Sequence, residues 1–321
     1  MTSATRAELH RSSLMVPMSD MRYARRAATC EADSITLDLE DGVADAQKIK
    51  ARELLAEGVG VAARGGARIE VRVNRPMGLL VRDIEAAVLP GVSGLRLPKV
   101  ESAGEVRRVS EYVGELERER KLAPGSIQLQ AMIETPLGLQ FAHEIACADP
   151  RVTSIGLGGI DFAAACGFAP TSENLTAPSQ TLLFAARAAG IRARGLVGSF
   201  ADFSDLEAFR SLARYSRRMG FCEGGAIHPA QVPILNEEMG PSDDEMLQAR
   251  EITSLAELND ADGRGVFAYR GRMIDKPIVL AAQHTLALAE AVGRQRQRQA
   301  SLRTEAAAMP AARNAGIRND E

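Results

Sequence analysis

Two acidic residues, Glu134 and Asp161, each follow a short apolar segment of the kind that forms a buried strand. Glu134 comes after residues 127–132, and Asp161 comes after residues 152–157, one βα unit later. Two carboxylates at neighbouring strand ends can share one hard divalent cation, because Mg²⁺ prefers oxygen ligands and keeps several of its waters. The pair therefore predicts metal-assisted chemistry on an oxygen-rich small molecule.

The pattern of apolar segments predicts the scaffold that would bring these carboxylates together. Short apolar segments alternate with helical stretches, which indicates parallel strands joined by right-handed crossovers. Eight such units are typical of a closed (β/α)8 barrel, the TIM barrel of the α/β class. The strands are expected at residues 13–17, 34–39, 68–73, 94–97, 127–132, 152–157, 196–198 and 225–227. An open doubly wound sheet is the alternative, but no glycine-rich dinucleotide motif follows the first segment.

Polar side chains gather at the C-terminal ends of the predicted strands, which form the catalytic face of a (β/α)8 barrel. They are Glu40, Asp41, Arg72, Asn74, Lys99, Glu134, Asp161 and His228. Any one of them could cap a helix or lie in a solvated loop. The presence of eight such residues on one face favours a catalytic site.

The pattern changes after the predicted barrel. We expect a barrel domain at residues 1–240, a C-terminal lid with helices at 241–295 and a flexible tail at 296–321. Within the lid, helices are expected at 243–261 and 278–294, and the glycine-rich sequence between them could form a hairpin.

Composition limits the partners and the location. The formal net charge of −3 at pH 7 argues against a nucleic-acid partner attracted by bulk charge. Cys30, Cys147, Cys166 and Cys222 share no metal-ligand spacing, which favours reduced thiols. No segment is apolar and long enough to span a bilayer, and residues 1–11 lack the apolar region of a signal peptide. These features predict a cytoplasmic protein with neither a nucleic-acid nor a membrane partner.

Eight short motifs occur in a fixed order along the chain. They are SLMVP at 13–17, LDLED at 37–41, VRVN at 71–74, LPKVES at 97–102, IET at 133–135, GGID at 158–161, AIHPAQ at 226–231 and MIDKP at 273–277. The set resembles the citrate lyase β-subunit-like acyl-CoA lyases of the HpcH/HpaI aldolase superfamily, which are relatives of malyl-CoA and citramalyl-CoA lyase. This resemblance implies a Mg²⁺ ion and reversible cleavage of a short 3-hydroxyacyl-CoA into acetyl- or propionyl-CoA and a 2-keto acid.

Arg72 and the carboxylate pair suit that chemistry. Cleavage of a 3-hydroxyacyl thioester leaves an enolate and a carbonyl product, so fixed positive charge near the oxygens stabilises the transition state. Glu134 and Asp161 would hold Mg²⁺ as a Lewis acid. Arg72 cannot lose its proton and suits the thioester or keto oxygen, which is also the role that the resemblance implies. Its alternative role is an ion pair with a neighbouring carboxylate.

Gly158, Gly159 and Ile160 precede Asp161 where a loop enters a helix. Exposed N–H groups at a helix N-terminus bind anions, so this segment could seat the carboxylate of the substrate while Asp161 takes the metal. Arg72 and Asp161 complete the predicted substrate-binding set. The alternative is a pair of glycines needed only for a tight turn.

Asp275 is the candidate base. In acyl-CoA lyases with a mobile C-terminal lid, the matching aspartate reaches the site of a neighbouring subunit, so the resemblance implies that Asp275 moves the proton at the thioester α-carbon. A closing lid would desolvate the carboxylate and raise its pKa toward that task. The alternative is that Asp275 caps the helix after Pro277.

Five further residues complete the candidate site. Glu40 and Asp41 could bond metal-bound waters or orient Arg72, although surface capping is an equal alternative. Arg22 and Arg26 match a family arginine and lysine that contact CoA phosphates, and Lys99 could face the same pocket or an acid. A solvated helix face is the alternative for the two arginines.

Four functions are compatible with these motifs. The leading one is a Mg²⁺-dependent lyase for malyl-CoA or citramalyl-CoA. Malyl-CoA thioesterase or malate synthase-like hydrolysis would use the same enolate. A citrate lyase β subunit is disfavoured by the lid with Asp275. A non-catalytic metabolite-binding protein is disfavoured by the combined presence of Arg72, Glu134, Asp161 and Asp275. The resemblance suggests homotrimers or homohexamers, and we expect His228 to be structural.

Overall fold

The structure is a computed structural model that describes residues 10–261 and 265–308. Eight parallel strands form its central sheet in the order β7-β6-β5-β4-β3-β2-β1-β8. They are β1 (Ser12–Pro17), β2 (Ser34–Asp38), β3 (Arg68–Arg72), β4 (Val92–Leu97), β5 (Gln128–Ile133), β6 (Val152–Leu157), β7 (Arg192–Arg194) and β8 (Gly224–Ala226). The predicted (β/α)8 barrel is confirmed.

The barrel closes between β7 and β8 through backbone hydrogen bonds outside the regular ladders. The N–H of Cys222 donates to the carbonyl of Ala193 at 3.3 Å, and the N–H of Gly195 donates to the carbonyl of Glu223 at 2.9 Å. On the other side, β8 pairs with β1 in parallel register, with Ser12 opposite Gly224. The strand ends therefore meet in a ring, as a shared catalytic face requires.

Helices cover the outside of the barrel. They are α1 (Met21–Ala27), α2 (Lys48–Ala62), α3 (Met77–Ala87), α4 (Ala103–Glu119), α5 (Pro136–Gln140), α6 (Ala142–Ala146), α7 (Gly159–Cys166), α8 (Ser172–Ala188), α9 (Leu206–Met219) and α10 (Gln231–Glu238). The sequence explains α4 well. Its N-cap Ser102 accepts a hydrogen bond from the N–H of Glu105, and Val106, Val109 and Val113 recur at helical spacing on its buried face. Such a cap and apolar stripe set where a helix begins and which face it buries.

The interior of the barrel is polar. Arg96 on β4 donates to Ser13 on β1 at 2.7 Å and to Glu70 on β3 at 2.9 Å. Arg194 on β7 also pairs with Glu70, at 3.2 Å. Burial opposes the charge of Glu70, but Arg194 and a hydrogen bond from Gln130 outweigh it and hold its pKa below the ordinary value. Breaking one such buried pair typically costs about 3–5 kcal/mol, so these charges tie opposite strands together beneath the catalytic face.

The seventh strand differs from the sequence prediction. It was expected at residues 196–198 because Leu196 and Val197 are apolar, but β7 ends at Arg194. Gly195 has a φ of 126°, which turns the backbone out of the strand. The N–H of Val197 then donates to the hydroxyl of Ser216 on α9 at 2.9 Å. The two apolar residues are buried in a loop and not in a strand.

The C-terminal region contains α11 (Asp243–Ala261), the antiparallel strands β9 (Phe267–Tyr269) and β10 (Arg272–Ile274), and α12 (Lys276–Ala308). Both predicted helices and the hairpin are present. The second helix is longer than expected because Gln299 is buried and donates to the carbonyl of Ala32 on the barrel at 3.1 Å. Residues 296–308 of the expected flexible tail thus continue α12, and residues 309–321 lie outside the described residues, as do 1–9 of the N-terminal segment and 263–264 of the expected hairpin.

Across the two described ranges, no helix combines the length and the apolar composition that crossing a bilayer requires.

Candidate active site

The candidate site lies at the C-terminal ends of five consecutive strands, β2 to β6. Glu40 and Asp41 follow β2, Arg72 ends β3, Lys99 follows β4, Glu134 follows β5, and Asp161 lies in the first turn of α7 after β6. We call Glu40, Asp41, Glu134 and Asp161 the acid cluster. Because consecutive strands of the barrel are neighbours, the sequence-predicted residues come together on one side of the catalytic face.

Arg72 is held by two carboxylates. Its Nε and Nη2 atoms donate to the two carboxylate oxygens of Asp38, each at 2.7 Å, and its Nη1 lies 2.8 Å from Oε2 of Glu40. Burial opposes the charge of Arg72, but the bonds and charges of Asp38, followed by Glu40, raise its pKa above the ordinary value. The guanidinium group is therefore a fixed cation, and the expected ion pair with a neighbouring carboxylate is present.

Asp38 is a site residue that the sequence analysis missed. It lies inside the apolar segment of β2, two residues before Glu40. Side chains alternate across a strand, so Asp38 faces the same side as Thr36, which bonds the interior residue Ser13 at 3.1 Å. That alternation is the signal that could have found it.

Lys99 lies among the carboxylates. Its Nζ donates to Oε1 of Glu40 at 2.9 Å and to Oδ2 of Asp41 at 3.3 Å, and it is 4.0 Å from Oδ1 of Asp161. Burial opposes its charge, yet Glu40 and Asp41 raise its pKa above the ordinary value. Its φ of 52° is a left-handed conformation that a non-glycine residue adopts at a cost. The structure thus favours the expectation that Lys99 faces an acid.

Glu134 has an unusual environment for a carboxylate. Glu134 is 4% exposed, and among the described residues its buried Oε2 atom has no hydrogen-bond partner. Burial, followed by the negative charges of Asp161 and Glu40, raises its pKa to about 8, although Lys99 and Arg72 act in the opposite direction. A buried oxygen that lacks a donor and faces other carboxylates is an arrangement that a cation would relieve.

Glu134 and Asp161 fit a hard divalent cation. The Asp161 side chain is 43% exposed, and its negative charge raises the pKa of Glu134, so the two carboxylates lie close enough to interact. In the part of the chain that the structure describes, no group of three or more Asp, Glu, His or Cys side chains is arranged as a metal site. Mg²⁺ is commonly bound by one or two carboxylates, with waters and substrate oxygens as its other ligands.

Residues 158–160, which precede Asp161, were predicted to form either an anion site or a tight turn. Gly158 is the N-cap of α7, and its own N–H donates to the carbonyl of Ile133 at 3.0 Å, so the predicted anion site is limited to the N–H groups that follow it in the first turn of α7. A Cβ atom at Gly158 would lie 2.6 Å from Oε1 of Glu134, and one at Gly159 would lie 2.9 Å from the side chain of Leu175. Both glycines are therefore needed for close packing. Ile160 is 43% exposed beside Asp161.

Arg22 and Arg26 lie on the exposed face of α1. Arg22 is 81% exposed at its side chain and pairs with Asp20 at 2.8 Å. Within residues 10–261 and 265–308, no hydrogen bond or ion pair connects either arginine to the acid cluster. Their exposure is compatible with binding phosphates and equally with a solvated helix face.

Asp275 lies at the junction between β10 and α12 and is half-buried. Its carbonyl oxygen accepts from the N–H groups of Ile278 and Val279, each at 3.1 Å, so its backbone begins the helix. Among the described residues, no hydrogen bond or ion pair joins its side chain to Arg72 or to the acid cluster. The described residues thus show no direct bond between Asp275 and the site of its own chain.

Two other residues predicted at the catalytic face have local partners. The Nδ1 atom of His228 accepts from the N–H of Ala230 at 3.2 Å, and its ring stacks on Phe203 with centroids 5.1 Å apart, in line with a structural role. Asn74 is buried. Its Oδ1 atom accepts from Nζ of Lys48 at 2.9 Å, so this residue bonds Lys48 and not the acid cluster.

The fold and the site together define a class of protein. It is a (β/α)8-barrel enzyme in which carboxylates and a fixed arginine meet at the C-terminal ends of the strands. The chain belongs to the HpcH/HpaI aldolase/citrate lyase family, whose sequence model matches residues 11–229. The predicted resemblance and the expected class of enzyme, a lyase, are confirmed.

Named relatives cover most of the chain. It is 32% identical over 286 residues to citrate lyase subunit beta of Leuconostoc mesenteroides subsp. cremoris, covering 88% of this chain and 94% of that protein. It is 34% identical over 290 residues to the L-malyl-CoA/beta-methylmalyl-CoA lyase of Rhodobacter capsulatus, covering 84% and 91%. The crystal structure of CitE from Mycobacterium tuberculosis in complex with magnesium, acetoacetate and coenzyme A superposes with a TM-score of 0.70 at 30% identity, covering 90% of this chain and 99% of that one.

Proposed function

We propose that the protein is a Mg²⁺-dependent acyl-CoA lyase that cleaves or forms a short 3-hydroxyacyl-CoA such as malyl-CoA or citramalyl-CoA. The observation that carries the proposal is the buried, unpartnered carboxylate oxygen of Glu134, which faces Asp161 on the same side of the barrel as Arg72. The malyl-CoA lyase relative and the magnesium, acetoacetate and coenzyme A of the CitE complex support the choice of substrate and cofactors. The products would be acetyl- or propionyl-CoA and a 2-keto acid.

In this proposal Glu134 and Asp161 hold Mg²⁺, and Arg72 stabilises the charge that develops on the substrate. Bound Mg²⁺ would polarise the substrate oxygens as a Lewis acid. Two of the five N–H donors of arginine bond Asp38, and Nη1 forms an ion pair with Glu40. The permanently charged guanidinium, on a side chain that is 15% exposed, would direct its remaining donors to the thioester or keto oxygen. The N–H groups of Gly159 and Ile160, which begin α7, would seat the carboxylate of the acid, whereas the N–H of Gly158 already donates to the carbonyl of Ile133 at 3.0 Å.

Asp275 is proposed as the base, and it would act in the active site of a neighbouring subunit. The chemistry needs a group that exchanges the α-carbon proton. Because the described contacts leave Asp275 apart from the site of its own chain, the C-terminal region of one subunit would cover the site of the next. A homotrimer or homohexamer is part of this proposal.

Arg22 and Arg26 are proposed to bind the phosphates of coenzyme A, since exposed arginines offer bidentate donors to phosphate oxygens. Lys99 is proposed instead to neutralise the acid cluster, which its hydrogen bonds to Glu40 and Asp41 support. The proposal also places the protein in the cytoplasm, which the four free cysteines support.

A panel of 3-hydroxyacyl-CoA thioesters, incubated with the protein and Mg²⁺ and analysed by mass spectrometry, tests the proposed reaction. We expect acetyl- or propionyl-CoA together with a 2-keto acid, and no products in excess EDTA. Free CoA with an intact hydroxy acid would instead establish hydrolysis. Turnover only of a carrier-protein thioester would establish citrate lyase β-subunit activity, and Mg²⁺ binding without any turnover would indicate a binding protein.

The affinity for Mg²⁺ is expected to rise with pH up to about 8. The pKa of Glu134 is raised to about 8 in the metal-free protein, so at lower pH the cation must displace a proton. Single-proton linkage weakens the apparent affinity by up to about tenfold for each pH unit below that pKa. Isothermal titration at pH 7 in buffers of different ionisation enthalpy should show about one proton released per Mg²⁺ bound. An affinity that is constant from pH 6 to 8, without proton release, would contradict this environment for Glu134.

A further inference from the structure

Lys48, the first residue of α2, is buried, and its ammonium group has three acceptors. Nζ donates to the carbonyl of Leu39 at 2.9 Å, to the carbonyl of Glu40 at 2.7 Å and to Oδ1 of Asn74 at 2.9 Å. An ammonium group has three donors, so every one is used. Two of them hold the backbone of the loop that carries Glu40.

Asn74 connects this lysine to a buried carboxylate. Its Nδ2 donates to the carbonyl of Leu39 at 2.7 Å and to Oδ2 of Asp83 at 2.6 Å, and its backbone N–H donates to the same oxygen at 2.8 Å. Arg52 completes the group by donating to Oδ1 of Asp83 at 2.9 Å. We call Lys48, Arg52, Asn74 and Asp83 the support cluster.

The support cluster joins the two backbone segments that carry the fixed arginine and its partners. Asp38 and Glu40 flank the backbone that Lys48 binds, and Asn74 follows Arg72 by two residues. On the opposite side of these segments, Arg72 contacts both carboxylates. A shift of either segment would therefore change the direction in which the guanidinium group points.

We propose that Lys48 is a positioning residue, which fixes the backbone at Glu40 so that Asp38 and Glu40 hold Arg72 toward the substrate. This inference rests on the proposed function. A neutral side chain cannot supply three donors at this place, so the carbonyl of Leu39 would keep only its bond from Asn74 and that of Glu40 only its bond from the N–H of Val43. Residues that orient catalytic groups in this way typically affect activity by about 10–100-fold.

Lys48→Met and Lys50→Met form a matched pair that tests the proposal. Both replace a lysine of α2 with methionine, but Lys50 is exposed, and within the described residues no hydrogen bond or ion pair joins it to the support cluster. We expect Lys48→Met to lower kcat about 10–100-fold with little change in KM, and Lys50→Met to keep the wild-type kcat. Thermal melts would establish that Lys48→Met is folded at the assay temperature. If Lys48→Met does not fold, Lys48→Gln is the second variant.

Hydrogen exchange supplies a readout that is independent of substrate. The N–H groups of Glu40 and Gly42 donate to Asp38 at 2.9 and 3.0 Å, so a loosened loop should exchange faster at these amides in Lys48→Met and not in Lys50→Met. Equal exchange or equal kcat in the two variants would overturn the proposal, as would a wild-type kcat in Lys48→Met. An inactive wild-type protein would instead refute the proposed function, while the exchange comparison still decides whether Lys48 fixes the loop.

Discussion

Glu134→Gln is expected to abolish Mg²⁺-dependent cleavage while the barrel still folds. The substitution keeps the shape of the side chain but removes the charge that would bind the cation. Loss of the several kcal/mol that a Lewis acid supplies corresponds to a fall in kcat of at least about 10³-fold. Mg²⁺ titration calorimetry and the thioester assay measure the two parts of this prediction. Asp161→Asn should behave in the same way.

The stability of the metal-free protein provides a second readout for this variant. A carboxyl group whose pKa is raised in the folded state, as in Glu134 with a value of about 8, contributes stability below its unfolded pKa, and that contribution is lost as the pH rises through 8. In EDTA at pH 9, Glu134→Gln should therefore melt at a higher temperature than the wild type. The exposed Glu144 gives the matched control, since Glu144→Gln should change neither melting nor turnover. Full activity in Glu134→Gln would remove this residue from the metal site.

Asp275→Asn is expected to lower kcat by about 10²–10⁴-fold, the usual contribution of a general acid or base. Affinity for Mg²⁺ and for coenzyme A should stay at the wild-type level, because no described contact links Asp275 to the acid cluster. Single-turnover assays at saturating substrate separate this loss from a binding defect. An unchanged kcat would assign the proton transfer to another residue.

Mixing variants tests whether Asp275 acts across subunits. Arg72→Lys keeps a positive charge beside Asp38 but loses the bidentate geometry, so it should be inactive with an intact C-terminal region. When it is co-refolded with Asp275→Asn, random assembly would give about one quarter of the sites both functional groups. Activity that returns toward that level supports action in the neighbouring subunit. No gain over the separate variants would show that Asp275 serves its own chain.

The barrel could be predicted from the sequence because its pattern is local. Apolar strands alternate with amphipathic helices such as α4, and only a parallel sheet with outer helices buries both. The seventh strand was misplaced because Leu196 and Val197 are buried without being in a strand. Apolar residues indicate burial but not the type of secondary structure. The left-handed turn at Gly195, which ends β7, cannot be recognised from the apolar pattern.

The candidate site was predictable where a charged residue follows a strand, as for Glu134 and Asp161. Asp38 was not predicted because it lies within an apolar segment. Lys48 was not predicted because it lies at the start of a helix, where a lysine is ordinarily solvated. Their importance depends on distances to Arg72 and to the loop of Glu40, which only the fold provides. The position of Asp275 relative to the site depends on packing between segments far apart in sequence.

Anomalous diffraction from a crystal soaked in Mn²⁺ tests the central claim most directly. Mn²⁺ takes the oxygen ligands that suit Mg²⁺ and scatters anomalously, so its position can be seen without any assumption about substrate. We predict one strong peak within coordination distance of both Glu134 and Asp161, which disappears in Glu134→Gln. A peak elsewhere, or none at these carboxylates at saturating Mn²⁺, would contradict the metal site on which the proposed reaction depends.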